Sequence, residues 1–250
     1  MHTAHLEVVP TGYRADDAPS AVGADFYAVH ERRLDLYRPI HKALRAMMSD
    51  TLAHAGRIDC ADGASVAGVA ARIRALLDAC HAHIDKEDRY IHRAMEARCP
   101  GSTVGIAAEH AAHEAAIANL EARVGELEAA SGDERIIAAR RIHHDLSLFV
   151  AENFQHMVVE ETVNNAVLWK HYDDAELASL HEAIVASIPP SESATLMRWM
   201  IPALAPDERA GLLLAVRAGA PAQAFEGLLT LADELLGDAD RAKLTAALAA

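Results

Sequence analysis

The sequence predicts an all-α protein, and three observations lead to this fold class. Hydrophobic residues make up 52% of the 250-residue chain, with 13 glycines and 9 prolines to interrupt helices. Alanine, leucine, glutamate and arginine are abundant, and all four favour helix. Apolar residues recur at steps of three and four, the spacing of a helix with one buried face, and no alternating run indicates a β-hairpin.

Four long helices are expected in the first two thirds of the chain. Pro39 should kink or restart the first helix just before His41, since proline lacks a backbone donor. Glycine, proline and aspartate mark the breaks, and Ser102 or Thr103 could cap the third helix and Asp133 the fourth. The predicted helices cover about 24–54, 64–98, 103–131 and 134–171.

The two ends of the chain differ from this central part. Residues 1–23 contain two prolines, two glycines and few apolar side chains, which predicts a mobile N-terminal arm. Prolines punctuate short amphipathic segments in residues 173–250, so this part is expected to be a C-terminal extension of short helices. Its predicted helices cover about 174–187, 191–203, 207–218, 222–236 and 239–249.

The predicted fourth helix carries a histidine and a glutamate on its buried face. His156 and Glu160 fall on a stripe whose positions are 142, 146, 149, 153, 156, 160, 163 and 167. Steps of four and three point these residues inward among apolar neighbours. A buried carboxylate needs a compensating partner. A histidine and a glutamate four residues apart can together bind one metal ion as a bidentate pair.

The other three helices repeat the pattern. His83 and Glu87 lie four residues apart on the stripe of the second helix, between Cys80 and the following stripe positions Ile91 and Ala94. The third stripe carries His110 and His113, and the first carries Tyr37 and His41. Helical bundles build metal sites from such inward side chains on facing helices. Thirteen of the 15 histidines lie between His30 and His181, so the imidazoles belong to this region.

The ordered set of these residues resembles the hemerythrin-like (HHE cation-binding) domain family over roughly residues 24–172. The motif is carried by His41, His83-x-x-x-Glu87, Glu109-His110 and His156-x-x-x-Glu160-Glu161. The resemblance implies a four-helix up-down bundle that holds two non-haem irons, bridged by two carboxylates and an oxygen species. It implies that the terminal ligands are His41, His83, His110 and His156, and that the bridges are Glu87 and Glu160.

This chain departs from the oxygen-carrying members of that family at two points. Glu114 stands where those proteins have a second histidine on the third helix, although His113 lies better on the stripe. Glu160 follows His156 by four residues, where those proteins have a carboxylate at five, the place of Glu161. The pattern is closer to the branch with more carboxylates, which includes iron-centre repair proteins and sensors of oxygen, nitric oxide or iron.

Three neighbouring residues could tune such a centre. Tyr37 either hydrogen-bonds a bound oxygen species or fills the core with its hydroxyl at the surface. Glu109 could accept a hydrogen bond from an imidazole, since ligating histidines usually donate their other N–H. Glu161 is expected to face solvent or an arginine, unless it replaces Glu160 as a ligand.

Two rival metal sites follow from the residue types. A ferritin-like di-iron oxidase repeats Glu-x-x-His, and no glutamate of this chain has a histidine three residues later. Zinc and manganese also accept imidazole with carboxylate, so the ligand types alone do not select iron.

Charge and cysteine content limit the partners and the compartment. A net charge of −14 repels phosphate backbones, so no nucleic-acid partner is expected. The chain lacks a stretch of 18 apolar residues and a signal sequence, which favours the cytoplasm and no membrane association. Three cysteines without a C-x-x-C spacing fit a reducing compartment, and Cys80 is expected to be a core residue.

The leading hypothesis is a di-iron protein that binds or reacts with a small oxidant such as O2, peroxide or NO. Its role would be stress response, sensing or iron-centre repair. The alternative is a helical interaction module with redox-inert structural metals, whose C-terminal extension binds a protein partner or forms a homodimer. No residue pattern identifies catalytic residues or a pocket for an organic substrate.

Overall fold

The computed structural model of the protein describes residues 33–249, and every regular element in that range is helical. The all-α fold class is therefore confirmed for this part of the chain. The predicted N-terminal arm, residues 1–23, lies outside the described residues. The α-helices are α1 (Arg38–Gly56), α2 (Gly63–Lys86), α3 (Arg93–Arg98), α4 (Val104–Ala129), α5 (Gly132–Val159), α6 (Asn165–His171), α7 (Asp174–Ala186), α8 (Pro190–Ala203), α9 (Pro206–Gly219), α10 (Ala222–Leu235) and α11 (Asp238–Ala249).

Two helix starts differ from the prediction. Helix α1 begins at Arg38, so the expectation of helix over residues 33–37 was wrong, while 24–32 lie outside the described part. Pro39 occupies the first turn of α1, where its missing N–H would have no intrahelical partner. Ser131 rather than Asp133 precedes α5 as its N-cap, because the helix already begins at Gly132.

Helices α1, α2, α4 and α5 pack around a shared apolar core. Helix α2 contacts α1 and α4, and α5 also contacts α1 and α4, so the four form a closed ring. Leu44, Ile73, Leu120 and Leu146, one from each helix, are almost fully buried in this core. Burial raises the pKa of the Cys80 thiol to about 12, as expected for an unreactive core cysteine.

Two π-helical turns interrupt the long helices. The first, Glu87–His92, joins α2 to α3, and the second, Glu160–Asn164, joins α5 to α6. A π-turn adds one residue to a helical turn, so the buried stripe beyond it shifts by one position. Met95 is buried on α3 after the first turn, while Ala94, the predicted stripe position, is only half-buried.

The C-terminal helices form a second apolar cluster. Ile201, Leu213, Ala232 and Leu244 are buried, one from each of α8 to α11. Helix α8 packs against α1, and Trp199 lies against the main core. The carboxylates of Glu208 and Glu192 pair with Lys42 of α1 at 2.5 Å and Lys86 of α2 at 2.6 Å. The C-terminal extension therefore contacts α1 and α2.

Prolines mark helix starts in this extension, as the sequence predicts. Pro190 and Pro206 lie in the first turns of α8 and α9, and Pro221 precedes α10. Arg209 is buried and donates hydrogen bonds to the carbonyls of Ile201 and Leu204 at the end of α8. No helix between residues 33 and 249 is long and apolar enough to cross a membrane.

Replacing Leu213 by alanine should destabilise the extension substantially. Leu213 is fully buried in the C-terminal cluster, so truncation should lower the free energy of unfolding by about 2–5 kcal/mol. Leu212, the preceding residue, is only partly buried, and Leu212→Ala should cost less. Chemical denaturation followed by circular dichroism tests both. Equal losses in the two variants would contradict the assigned burial.

Candidate metal centre

Six inward side chains from the four long helices meet at one place in the core. Helices α1 and α4 contribute one side chain each. Helix α2 with the first π-turn contributes two, and α5 with the second π-turn contributes two. All are buried except His83, whose side chain is 14% exposed. The six are His41, His83, Glu87, His110, His156 and Glu160, and they form two groups of four that share Glu87 and Glu160.

The first group brings His41 and His83 against the two carboxylates. The Nε2 atoms of these histidines lie 3.2 Å apart. His83 Nε2 is 3.2 Å from Glu87 Oε1, and His41 Nε2 is 3.4 Å from Glu160 Oε2. Four potential ligand atoms thus lie within 4.8 Å of one another.

The second group has the same composition on the other side of the carboxylates. The Nε2 atoms of His110 and His156 lie 3.1 Å apart. His156 Nε2 is 3.2 Å from Glu160 Oε1, and His110 Nε2 is 3.5 Å from Glu87 Oε2. Each glutamate therefore turns one oxygen toward each histidine pair, as a bridging carboxylate would.

The hydrogen-bonding state of the centre fits cations between these atoms. Both carboxylate oxygens of Glu87 and of Glu160 are buried and accept no hydrogen bond. Buried carboxylates without hydrogen bonds are costly unless a positive charge compensates them. The imidazole nitrogens within 3.7 Å are thus not aligned as donors to these oxygens. A pair of metal ions would satisfy the four oxygens, and imidazole with carboxylate suits iron, zinc and manganese.

Three further carboxylates fix the orientation of three histidines from outside the centre. The Nδ1 atoms of His41, His110 and His156 lie 3.0, 2.8 and 2.7 Å from oxygens of Glu161, Asp88 and Glu109. A carboxylate only accepts, so in the neutral imidazole Nδ1 carries the proton and Nε2 directs its lone pair inward. Facing lone pairs about 3 Å apart repel, and a cation between them removes the repulsion.

His83 is the exception among the four histidines. Within residues 33–249, no protein group hydrogen-bonds its Nδ1, and its ring is the most exposed of the four. The ring is held by contacts of Nε2 with His41 and Glu87. Its orientation is therefore the least constrained in the centre.

The charges of the site also move its pKa values apart. Burial lowers the pKa of His41, but the carboxylates of Glu161 and Glu87 outweigh it and raise that pKa to about 9. Burial and the charge of His41 hold the pKa of His83 well below its usual range. Burial and the charge of Glu160 raise the pKa of Glu87 to about 7. Since metal ligands must be deprotonated, binding at His41 and Glu87 would release protons and be favoured by higher pH, whereas His83 has no proton to lose.

Glu109 gives a direct test of this outer layer. Replacing Glu109 by alanine removes the acceptor of the His156 Nδ1–H and should weaken metal binding by roughly 10- to 100-fold. Competition against a chromophoric chelator measures the change. Glu114→Ala is the matched control on the same helix, because Glu114 pairs with the exposed His81 and should leave the affinity unchanged. A similar loss in both variants would contradict the role of Glu109.

His113 and Glu114, the two alternative ligands on α4, point in different directions. His113 is buried, and its ring packs edge-on against that of His156 with centroids 4.6 Å apart. The Glu114 carboxylate instead points outward to His81. Among the described residues, neither belongs to a group whose ligand atoms converge.

Tyr37 and Glu161, two of the residues expected to tune the centre, lie in surroundings that differ in part from those predicted. Tyr37 is fully buried, so the expectation of a surface hydroxyl was wrong; its oxygen accepts from Asn164 Nδ2 at 3.3 Å. Burial and the charges of Glu160 and Glu87 raise the Tyr37 pKa well above its usual value, so the hydroxyl keeps its proton. Glu161 contacts Arg45, as expected, and also His41, which sequence reasoning missed.

The π-turns are the main feature that the spacing did not reveal. Each begins at one of the two shared glutamates, Glu87 and Glu160. Within the second turn, Asn164 is buried and Val163 is 49% exposed, so the prediction of Val163 on the buried stripe was wrong. The polar residues Asn164 and Asn165 were the sequence signal that the buried stripe shifts by one position there. Sequence reasoning also missed His92, which the first π-turn carries into the core.

The fold and this cluster define an all-helical protein with a buried group of histidines and glutamates able to hold metal. The family model of the hemerythrin HHE cation binding domain matches residues 32–183. The chain therefore belongs to the hemerythrin HHE cation-binding family. Neither the curated proteins nor the solved structures include a match to it.

Proposed function

We propose that this protein is a hemerythrin-like di-iron protein that binds or reacts with a small oxidant, O2, peroxide or NO. In this proposal the described part of residues 24–172 is a four-helix up-down bundle, and the described part of residues 173–250 is an extension. The bundle would act in the cytoplasm, in stress response, sensing or iron-centre repair. The observation that carries the proposal is the pair of buried glutamates whose four oxygens lack hydrogen bonds.

The residues that would hold the two ions follow from the two groups of ligand atoms. His41 and His83 would bind one ion, His110 and His156 the other, and Glu87 and Glu160 would bridge them. Two histidines and two carboxylate oxygens give each ion four protein ligands, fewer than six-coordinate iron accepts. Bound iron would thereby supply redox chemistry and free positions for a diatomic or peroxide ligand.

The surrounding residues would control what reaches this centre. Tyr37 keeps its hydroxyl proton within the buried region next to His41, with ring centroids 5.5 Å apart. It is therefore a candidate hydrogen-bond donor to a small ligand. Buried apolar side chains such as Ile91, Phe149 and Met157 exclude bulk water from the core around the centre. Only the exposed edge of His83 lies near solvent, which favours small reactants over an organic substrate.

The alternative is a helical interaction module with redox-inert metals. Its supporting observation is the extension, which has its own apolar cluster and contributes none of the six converging side chains. In that case the extension would bind a protein partner or a second copy of the chain.

Metal content and absorption distinguish these two functions. We would purify the protein anaerobically, measure metals, and record spectra after adding air and then peroxide. About two irons per chain, with new near-ultraviolet and visible bands, would support the di-iron function. Zinc or no metal, with an unchanged spectrum, would contradict it and favour the interaction module.

A further inference from the structure

A further histidine and carboxylate, four residues apart in the chain, lie on the outer side of the centre. Asp88 and His92 both belong to the first π-turn, one residue or more beyond Glu87. They repeat the spacing of the two pairs already described, with the order of the residue types reversed. The two side chains differ in exposure, since Asp88 is about half exposed and His92 is buried.

The geometry around His92 resembles that of the central ligands. His92 Nδ1 lies 2.8 Å from Asp88 Oδ1, yet neither ring nitrogen of His92 makes a hydrogen bond. An imidazole that is only 5% exposed normally pairs both nitrogens or leaves one facing a bound group. The close but misaligned approach is what two ligands of one cation adopt, because both lone pairs then point at the ion rather than at each other.

His110 completes the arrangement. Its ring stacks on that of His92, with centroids 4.8 Å apart and an interplanar angle of 23°. Its Nδ1 lies 2.8 Å from the same Asp88 oxygen, on the side of the ring opposite the central pair. The same Asp88 oxygen thus contacts both rings, with His110 as its hydrogen-bond donor and His92 as a second potential ligand, and the half-exposed Asp88 carboxylate is open to solvent.

We propose that Asp88 and His92 bind a third divalent cation at the outer side of the His110 ring. Imidazole with carboxylate suits iron, zinc and manganese, and water from the exposed side would complete the coordination. His110 would remain oriented by Asp88, whose carboxylate has oxygens enough for both the ion and the imidazole N–H. With only two side-chain ligands, this position should bind more weakly than the central two.

The test counts bound metal in the full-length protein. Equilibrium dialysis against Co(II), with absorption recorded for histidine-bound ions, should give three equivalents per chain, the third the weakest. His92→Phe keeps a ring stacked on His110, and Asp88→Asn keeps an acceptor for His110 Nδ1, so both should fold. Each variant should lose the third equivalent and retain the first two.

His81→Ala is the matched control, because His81 and Glu114 form an exposed histidine–carboxylate pair with 2.8 Å between Nδ1 and Oε1. It should retain all three equivalents. A third equivalent that survives in His92→Phe, or a wild-type stoichiometry of two that this variant leaves unchanged, would overturn the proposed outer site. Neither result touches the proposed function, which fails instead if the two tight equivalents are absent from the wild type.

The outer site can also be tested in a variant whose central site is disrupted. In a His83→Ala, Glu160→Ala protein, adding His92→Phe should remove one weak equivalent, while any ion held by the remaining Glu87, His110 and His156 should be unaffected. A background protein whose residual binding does not respond to His92→Phe would overturn the outer site independently of the central pair.

Discussion

Replacing His83 and Glu160 together by alanine should remove both tightly bound metal ions. Each of the two groups of ligand atoms contains Glu160, and the first also contains His83. The double variant therefore leaves one group with two side-chain ligands and the other with three, and neither keeps both bridging carboxylates. Metal analysis after dialysis against buffer measures the loss, and retention of two ions per chain would contradict the ligand assignment.

Two controls separate this loss from unfolding. His54→Ala with Glu134→Ala changes the same residue types outside the centre and should retain both ions. Helical content by circular dichroism should match the wild type, because the double variant removes one buried charge and one imidazole rather than apolar core. Metal loss with native helicity would assign the effect to the centre.

Removing the metals from the wild type should lower its melting temperature by a large amount. Binding only to the folded state stabilises it by about 2.7 kcal/mol per ion at a free concentration 100 times Kd. For a domain of this size, about 5 kcal/mol from two ions corresponds to a shift on the order of 10–20 °C. Thermal denaturation before and after chelation, with metal restored in a third sample, measures the shift.

The same comparison in the His83→Ala, Glu160→Ala protein should show almost no response to chelator. Its melting temperature should instead lie near that of the metal-depleted wild type. For domains of this size, a change of 1 kcal/mol in stability shifts the melting temperature by about 2–4 °C. A wild-type shift below about 2 °C would therefore mean that the four carboxylate oxygens without hydrogen bonds do not need a cation for stability.

The helices were largely predictable because burial imposes a regular spacing. The stripe through His41, Leu44 and Met48 is buried as expected, and the short C-terminal helices begin and end within two residues of the predicted positions. Proline and glycine mark most of those ends by fixing or freeing the backbone. The start of α1 at Arg38 was missed because the apolar residues before it, Leu34 and Tyr37, continue the helical spacing that leads to His41.

The meeting of the six side chains was predictable from resemblance, and their role as ligands stays a prediction. Spacing alone indicated inward histidines and glutamates but not which helices face each other. The π-turns escaped prediction because a single inserted residue changes the period only locally, so Val163 fits the expected stripe better than Asn164 does. His92 was missed for the same reason, since an unbroken α-helix turns it away from the stripe of Glu87.

The pairing of the extension with Lys42 and Lys86 has an electrostatic consequence for the centre. Lys42 directly follows His41 in the chain, and Lys86 directly precedes Glu87. In the proposed di-iron protein, two divalent ions would bring four positive charges into a low-dielectric core, where nearby ammonium groups would raise the local potential and oppose their uptake. By placing Glu208 and Glu192 against these lysines, the extension offsets that potential. In that protein, the affinity for cations would therefore depend on residues that never touch them.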